Sequence, residues 1–215
     1  YEQIRDRDRT LSGVLAYHPL RLTVSVDGQP EPATTGQLVT GNYYQVLGVN
    51  ALLGRTIAPE DDRAPGEHPV CVISHGYWRR RFGGDPGVVG KTIHLGGYPF
   101  TVIGVTPPEF FGAEVGSAMD ISAPLVMWQQ VMQEIWEEPQ DYVKYVNGGI
   151  ERLRLLGRLR PGETLEQAQA SLGLLYQQYV ADLVVRHSSS EKGRNYVNLY
   201  KVDAKLMVAS GSQGL

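Results

Sequence analysis

Glycine and proline pairs punctuate this chain so often that few long elements fit between them. Asp27-Gly28, Gly83-Gly84-Asp85-Pro86-Gly87, Gly96-Gly97 and Pro107-Pro108 all fall within the first 108 residues. Each is a turn signal, because glycine adopts positive φ without steric cost and proline removes a backbone donor. In all, 38 of the 215 residues are Gly or Pro. Such a chain is expected to fold into short strands, hairpins and modest helices. The hydrophobic fraction of 42% against 20% charged residues is enough for a packed core.

The residue patterns between the turns set the expected elements. Leu20, Leu22, Val24 and Val26 alternate with Arg21, Thr23 and Ser25, the period of a half-buried strand. Asp27-Gly28 turns that strand into a hairpin, with a return strand near Thr34–Val39. Gly41–Gly48 reads as a short helix stopped by glycine, and the polar stretch Pro59–Pro69 as a boundary. Strand Val70–Ser74, a helix Gly76–Phe82 capped by Ser74, and strands Lys91–Leu95 and Tyr98–Val105 follow. Pro99 places the last of these toward a sheet edge.

Further on, Leu125, Trp128, Met132, Ile135 and Trp136 recur at helical spacing until Pro139. Arg152–Arg160 alternates as a strand, with Leu153, Leu155 and Leu159 on one face. Thr164 and Gln167 form a capping box for a helix striped by Leu165, Ala168, Leu172, Leu175, Tyr179 and Leu183. A strand at Tyr196–Val202 would complete a β-α-β unit over residues 152–202.

Several function classes can be weighed on residue chemistry. Twenty Lys+Arg against 23 Asp+Glu give a net charge of -3, which excludes a polycationic nucleic-acid binder. No apolar run approaches the roughly 18 to 20 residues that cross a bilayer, and the chain reads as a soluble domain excised from a longer protein. Gly84–Thr92 has the flavour of a phosphate-binding loop, yet Asp85 stands where the first glycine is required. Val72-Ile73-Ser74-His75-Gly76 has the outline of a nucleophile elbow, but Val72 replaces its first glycine. Capping is therefore the expected role of Ser74. His68, Cys71 and His75 would diverge along a strand instead of converging on a metal. Cys71, the single cysteine, cannot form an internal disulfide. Glu60-Asp61-Asp62 is expected to be solvated or paired with an arginine such as Arg55. Arg152, Arg154, Arg158 and Arg160 form a stripe that faces water or acidic neighbours. Trp128, Met132 and Trp136 either pack a core or form a partner or substrate contact. No catalytic residue, cofactor or metal ligand is expected.

The ordered strings carry a resemblance. Thr40-Gly41-Asn42-Tyr43-Tyr44-Gln45-Val46-Leu47-Gly48-Val49, Leu53-Gly54-Arg55 and Pro59-Glu60-Asp61-Asp62 are similar to the extracytoplasmic core domain of MacB-type ABC permeases. The series continues through Val72–Pro86, Val89–Ile93, Phe100–Val105, Gly157–Gly162 and Leu165–Ala168. It covers roughly Gly13 to Leu183, with the flavour of the duplicated orphan permeases of acidobacteria. The resemblance implies an α+β fold: a porter-like β-α-β subdomain, residues 1–58 and 119–215, with an inserted smaller sabre-like α/β subdomain at 59–118. It also implies a non-catalytic domain inserted between the first and second membrane helices of a MacB/FtsX-type permease, on the periplasmic side of the inner membrane. Its partners would be the transmembrane and ATPase parts of the same permease, a second permease copy in a dimer, and a periplasmic adaptor. Movement driven by ATP would be passed outward for export, extraction or regulation. Two other readings stay open: a serine hydrolase using Ser74, and a lipid- or peptide-binding module around Trp128 and Trp136.

Overall fold

The computed structural model describes residues 1–32, 34–114, 116–132, 153–187 and 208–210. The chain divides into a larger unit, built on Leu15–Arg154, and a smaller one that combines Tyr1–Val14 with Leu155–Gln213.

The larger unit is built on one mixed sheet. Its strands are β1 (Leu11–Leu22, which starts in the smaller unit), β2 (Val24–Val26), β3 (Gln29–Pro30), β4 (Thr34–Val39), β5 (Leu53–Gly54), β6 (Val70–Ile73), β7 (Thr92–Leu95), β8 (Tyr98–Val105) and β9 (Ile121–Pro124). They lie in the order β1-β4-β9-β6-β8-β7-β2-β3, with β5 also paired to β8. Pairings β4–β9 and β6–β8 are parallel and the others antiparallel. Alternation decides the packing: along β8, Phe100 and Val102 are buried while Thr101 is exposed, and along β7 Ile93 and Leu95 are buried beside exposed Thr92. Helix α3 (His75–Phe82) adds Tyr77 and Trp78 to the same core cluster. It starts at Ser74 and stops at Gly83, which takes φ 62°. The short α2 (Tyr43–Leu47) buries Tyr43 and Tyr44.

Four sequence expectations change here. The strand expected over Leu20–Val26 breaks at Thr23. Its first part belongs to β1, which begins as early as Leu11 and pairs with β4, whereas Val24–Val26 turn away to pair with β7 and β3. The Asp27-Gly28 turn does form, both residues at positive φ (54° and 74°) as a two-residue hairpin requires, but its return strand is β3. Nor does Pro99 mark an edge: β8 lies between β6 and β7. Parallel pairing with β6 begins only at Thr101, so the proline precedes that ladder and removes no donor from it. Finally, the run from Leu125 opens as a 3-10 turn, Leu125–Met127, followed by a one-turn helix α4 (Trp128–Val131). Ile135, Trp136, the stop at Pro139 and the strand Tyr196–Val202 lie outside the described residues.

The smaller unit holds α1 (Glu2–Arg7), the first residues of β1, β10 (Arg154–Leu159, which starts on the last residue of the larger unit) and α5 (Leu165–His187). Thr164 and Gln167 make the expected capping box: Thr164 N–H donates to Gln167 Oε1 at 2.7 Å and Gln167 N–H to Thr164 Oγ1 at 3.3 Å. Asp8 fastens the unit. Its carboxylate accepts from Thr10 N at 2.8 Å, Thr10 Oγ1 at 2.7 Å, Leu11 N at 3.0 Å and Ser171 Oγ on α5 at 2.7 Å. Burial alone would push that carboxyl up; the hydrogen bonds outweigh it and hold it below its ordinary value. The architecture as a whole is α+β.

Candidate functional site

Several of the motif strings come together around β5 and its pairing with β8. Gly54 on β5 and Gly104 on β8 are register partners. A Cβ on Gly54 would lie 2.2 Å from the Ile103 carbonyl oxygen, and one on Gly104 would lie 2.1 Å from that of Arg55. Both glycines are required because backbone occupies the space of a side chain. Beyond β5, Arg55 makes a two-pronged ion pair with Asp61, at 2.5 and 2.8 Å, and Asp61 also accepts from Ala58 N. Burial raises the Asp61 carboxyl, but Arg55 and the Ala58 amide overcome this and keep it below the usual carboxylate range. Asp62 accepts from Gly41 N at 2.9 Å and Val126 N at 3.0 Å. It thereby staples the turn before α2 to the segment after β9. Asp61 and Asp62 are thus fasteners, Glu60 makes an exposed ion pair with Arg63, and Arg55 is the arginine the sequence pointed to.

The chemistry-like motifs resolve into structure as well. Ser74 Oγ accepts from Tyr77 N at 3.0 Å, the geometry of a helix cap, and the His75 ring packs edge-on against Trp78 at 5.5 Å. In the glycine-rich loop, Asp85 accepts from Gly87 N at 2.8 Å and from Lys91 Nζ at 3.2 Å. The amide and ammonium that a phosphate would need are therefore already engaged by a carboxylate, and Lys91 leads into a strand instead of a helix. Cys71 is fully buried, which pushes its thiol up and leaves it inert as a nucleophile. Among the described residues no group of three or more His, Cys, Asp or Glu could hold a metal ion.

Trp128 and Met132 are each 7% exposed and belong to the core cluster, Trp128 edge-on to His18 at 4.8 Å. That burial places both at packing positions. Trp136, the third residue of the expected contact, lies outside the described residues, as does Arg152. Of the arginine stripe, Arg154 pairs with Glu114 and Arg160 Nε donates to the Leu11 carbonyl. Beside the first pair, burial and Glu114 push the Tyr17 hydroxyl above its ordinary value.

A shallow groove of about 460 Å³ runs between the chain from Gly48 to Leu52 and the loop bearing Pro107, Glu109 and Phe110. Gly48 ends α2 in the left-handed region, which swings Val49–Leu52 outward. Leu52 is 47% exposed and Phe111, next to the groove, 63%. Sequence patterning missed these residues, although two adjacent phenylalanines in a loop just after Pro107-Pro108 were a signal, because connecting segments run over the surface.

The MacB-like periplasmic core domain family matches residues 1–174. Among solved structures, the periplasmic region of MacB from Actinobacillus actinomycetemcomitans is similar at 15% identity and a TM-score of 0.58, over 81% of this chain and 70% of that one. The extracellular domain of the noncanonic ABC-type transporter YknZ from Gram-positive bacteria is similar at 16% identity and a TM-score of 0.57, over 83% and 82%. At such identities the likeness is one of fold. No curated protein matches the chain.

Proposed function

We propose a force-transmitting, non-catalytic role for this chain, which belongs to the family of MacB-like periplasmic core domains. It is a periplasmic-side domain of the MacB-like ABC transporter permeases, and among its described residues no helix is long and apolar enough to cross a membrane. Its task is to pass movement driven by ATP hydrolysis outward, for export, extraction or regulation beyond the inner membrane. The transmembrane and ATPase parts of the same permease are its partners, together with a second copy in the dimer and a periplasmic adaptor.

The family match carries the reading, and the use of the motif residues supports it. Gly54, Gly104, Arg55, Asp61 and Asp62 all serve to lock backbone to backbone, directly or through one carboxylate. A strand held on both sides by a hydrogen-bonded ladder cannot shift without moving its neighbours. The three-part division belongs to the same proposal. Residues 59–118, holding β6, α3, β7 and β8, form the sabre-like insert, and 1–58 with 119–215 form the porter-like part.

The test uses the intact permease and needs no knowledge of its cargo. A spin label at exposed Val89, introduced as Val89→Cys in both copies, should change its pair separation between nucleotide-free and vanadate-trapped states. An ATPase-dead permease should show no change. A separation that ignores the nucleotide state removes the proposal. So does labelling of the purified chain by a fluorophosphonate that disappears in Ser74→Ala, which would instead favour the hydrolase.

A further inference from the structure

The groove beside α2 combines three properties that packing does not require. Its walls are fixed in advance: Val49 N–H donates to the Tyr44 carbonyl at 2.9 Å, Leu52 N–H to Val105 at 2.7 Å, and Phe110 N–H to Pro107 at 3.1 Å. The Tyr44 and Phe110 rings are 5.8 Å apart, anchoring the second wall to a buried residue of α2. Large apolar side chains are nonetheless left facing water, Leu52 and Phe111 above all. Exposed apolar surface clustered around a concavity marks a contact site more often than scattered exposure does. Third, Glu109 lines the groove, is exposed, and has no ion-pair partner among the described residues.

We propose that this groove docks a peptide segment of a partner protein that presents a large apolar side chain flanked by a basic one. The apolar side chain would lie between Leu52 and Phe110, and its cationic neighbour would meet Glu109. The charge decides between occupants. An anionic lipid surface would be repelled by Glu109, whereas a lysine or arginine beside the buried anchor is drawn to it. The proposal needs only the groove and does not rest on the force-transmitting role, so either can fail without the other.

The experiment measures fluorescence anisotropy of two labelled hexapeptides with the purified full chain. One is Gly-Lys-Leu-Phe-Lys-Gly and the other Gly-Glu-Leu-Phe-Glu-Gly. The basic peptide should bind about threefold more tightly, the scale of a rim charge pair. Glu109→Lys should reverse that order, and Leu52→Ser should weaken the basic peptide by about tenfold, as loss of an apolar contact does. Both positions are exposed, and circular dichroism should show both variants folded. Four results would overturn the proposal: no binding of either peptide, equal binding of both, Leu52-dependent co-sedimentation with phosphatidylglycerol vesicles, or a dimer in sedimentation velocity that Leu52→Ser dissolves.

Discussion

The two units of the molecule are fastened by different physics. In the larger unit, β5 and β8 meet where Gly54 and Gly104 let backbones approach too closely for any side chain. In the smaller unit, α5 buries Ala168 and Leu172 and is held to the start of the chain through the Asp8 carboxylate and Ser171. Backbone against backbone admits no added atom, because neither side can swing away. A side-chain fastener can be loosened by degrees. The larger unit should therefore behave as one cooperative block, and the smaller one should open at a lower free energy.

The sharpest test sets one glycine against another. Gly104→Val should abolish folding of the larger unit, at a cost above about 4 kcal/mol, seen as loss of near-ultraviolet circular dichroism or of soluble protein. Gly157→Ala in the smaller unit should cost about 1 kcal/mol or less, because the new Cβ meets only the end of the Leu11 side chain, at 2.9 Å. A folded Gly104→Val protein with an unchanged melting temperature would break the contrast.

Next in size is Phe100→Ala, expected to cost about 3–5 kcal/mol and to speed amide exchange across β6, β7 and β8 together. Leu172→Ala should speed exchange along α5 and leave those strands alone. Exchange that rises everywhere in both variants would mean that the units unfold as one.

Acid should loosen both, through different carboxyls. Asp8 and Asp61 are both held below their ordinary values. Each therefore adds stability that is complete above the unfolded pKa of about 4 and is lost as pH falls through the lower folded value. Melting curves from about pH 6 down to about pH 3 should fall for the wild type. Asp61→Asn should flatten that dependence in the larger unit and Asp8→Asn in the smaller one, each costing about 1–2 kcal/mol at neutral pH. Ser74→Ala should have an effect as small as that of Gly157→Ala, about 1 kcal/mol through the lost cap, read from the urea midpoint.

Local signals in the sequence carried far. The capping box at Thr164 and Gln167, the cap at Ser74 and the hairpin turns at Asp27-Gly28 and Gly96-Gly97 depend on neighbours a few residues away, and each is found in the structure. What stayed hidden depends on distant partners. Nothing near Thr23 says that the chain changes neighbours there, since the choice between β4 and β7 is made by residues far along the sequence. The interior place of β8, despite Pro99, required knowing where β6 begins. The Asp62 staple joins positions 41, 62 and 126, and the groove joins residues 48–52 to 107–110. Periodicity within one segment cannot reveal either.

The outermost ribbon of the larger sheet, β3, is only Gln29–Pro30 and ends on an imino acid. An incoming strand would find almost no template there, since two residues offer little to pair with and one lacks a donor. Many copies crowded beside a membrane could thus collide along that margin without polymerising into a shared ribbon. Self-association would have to use other faces.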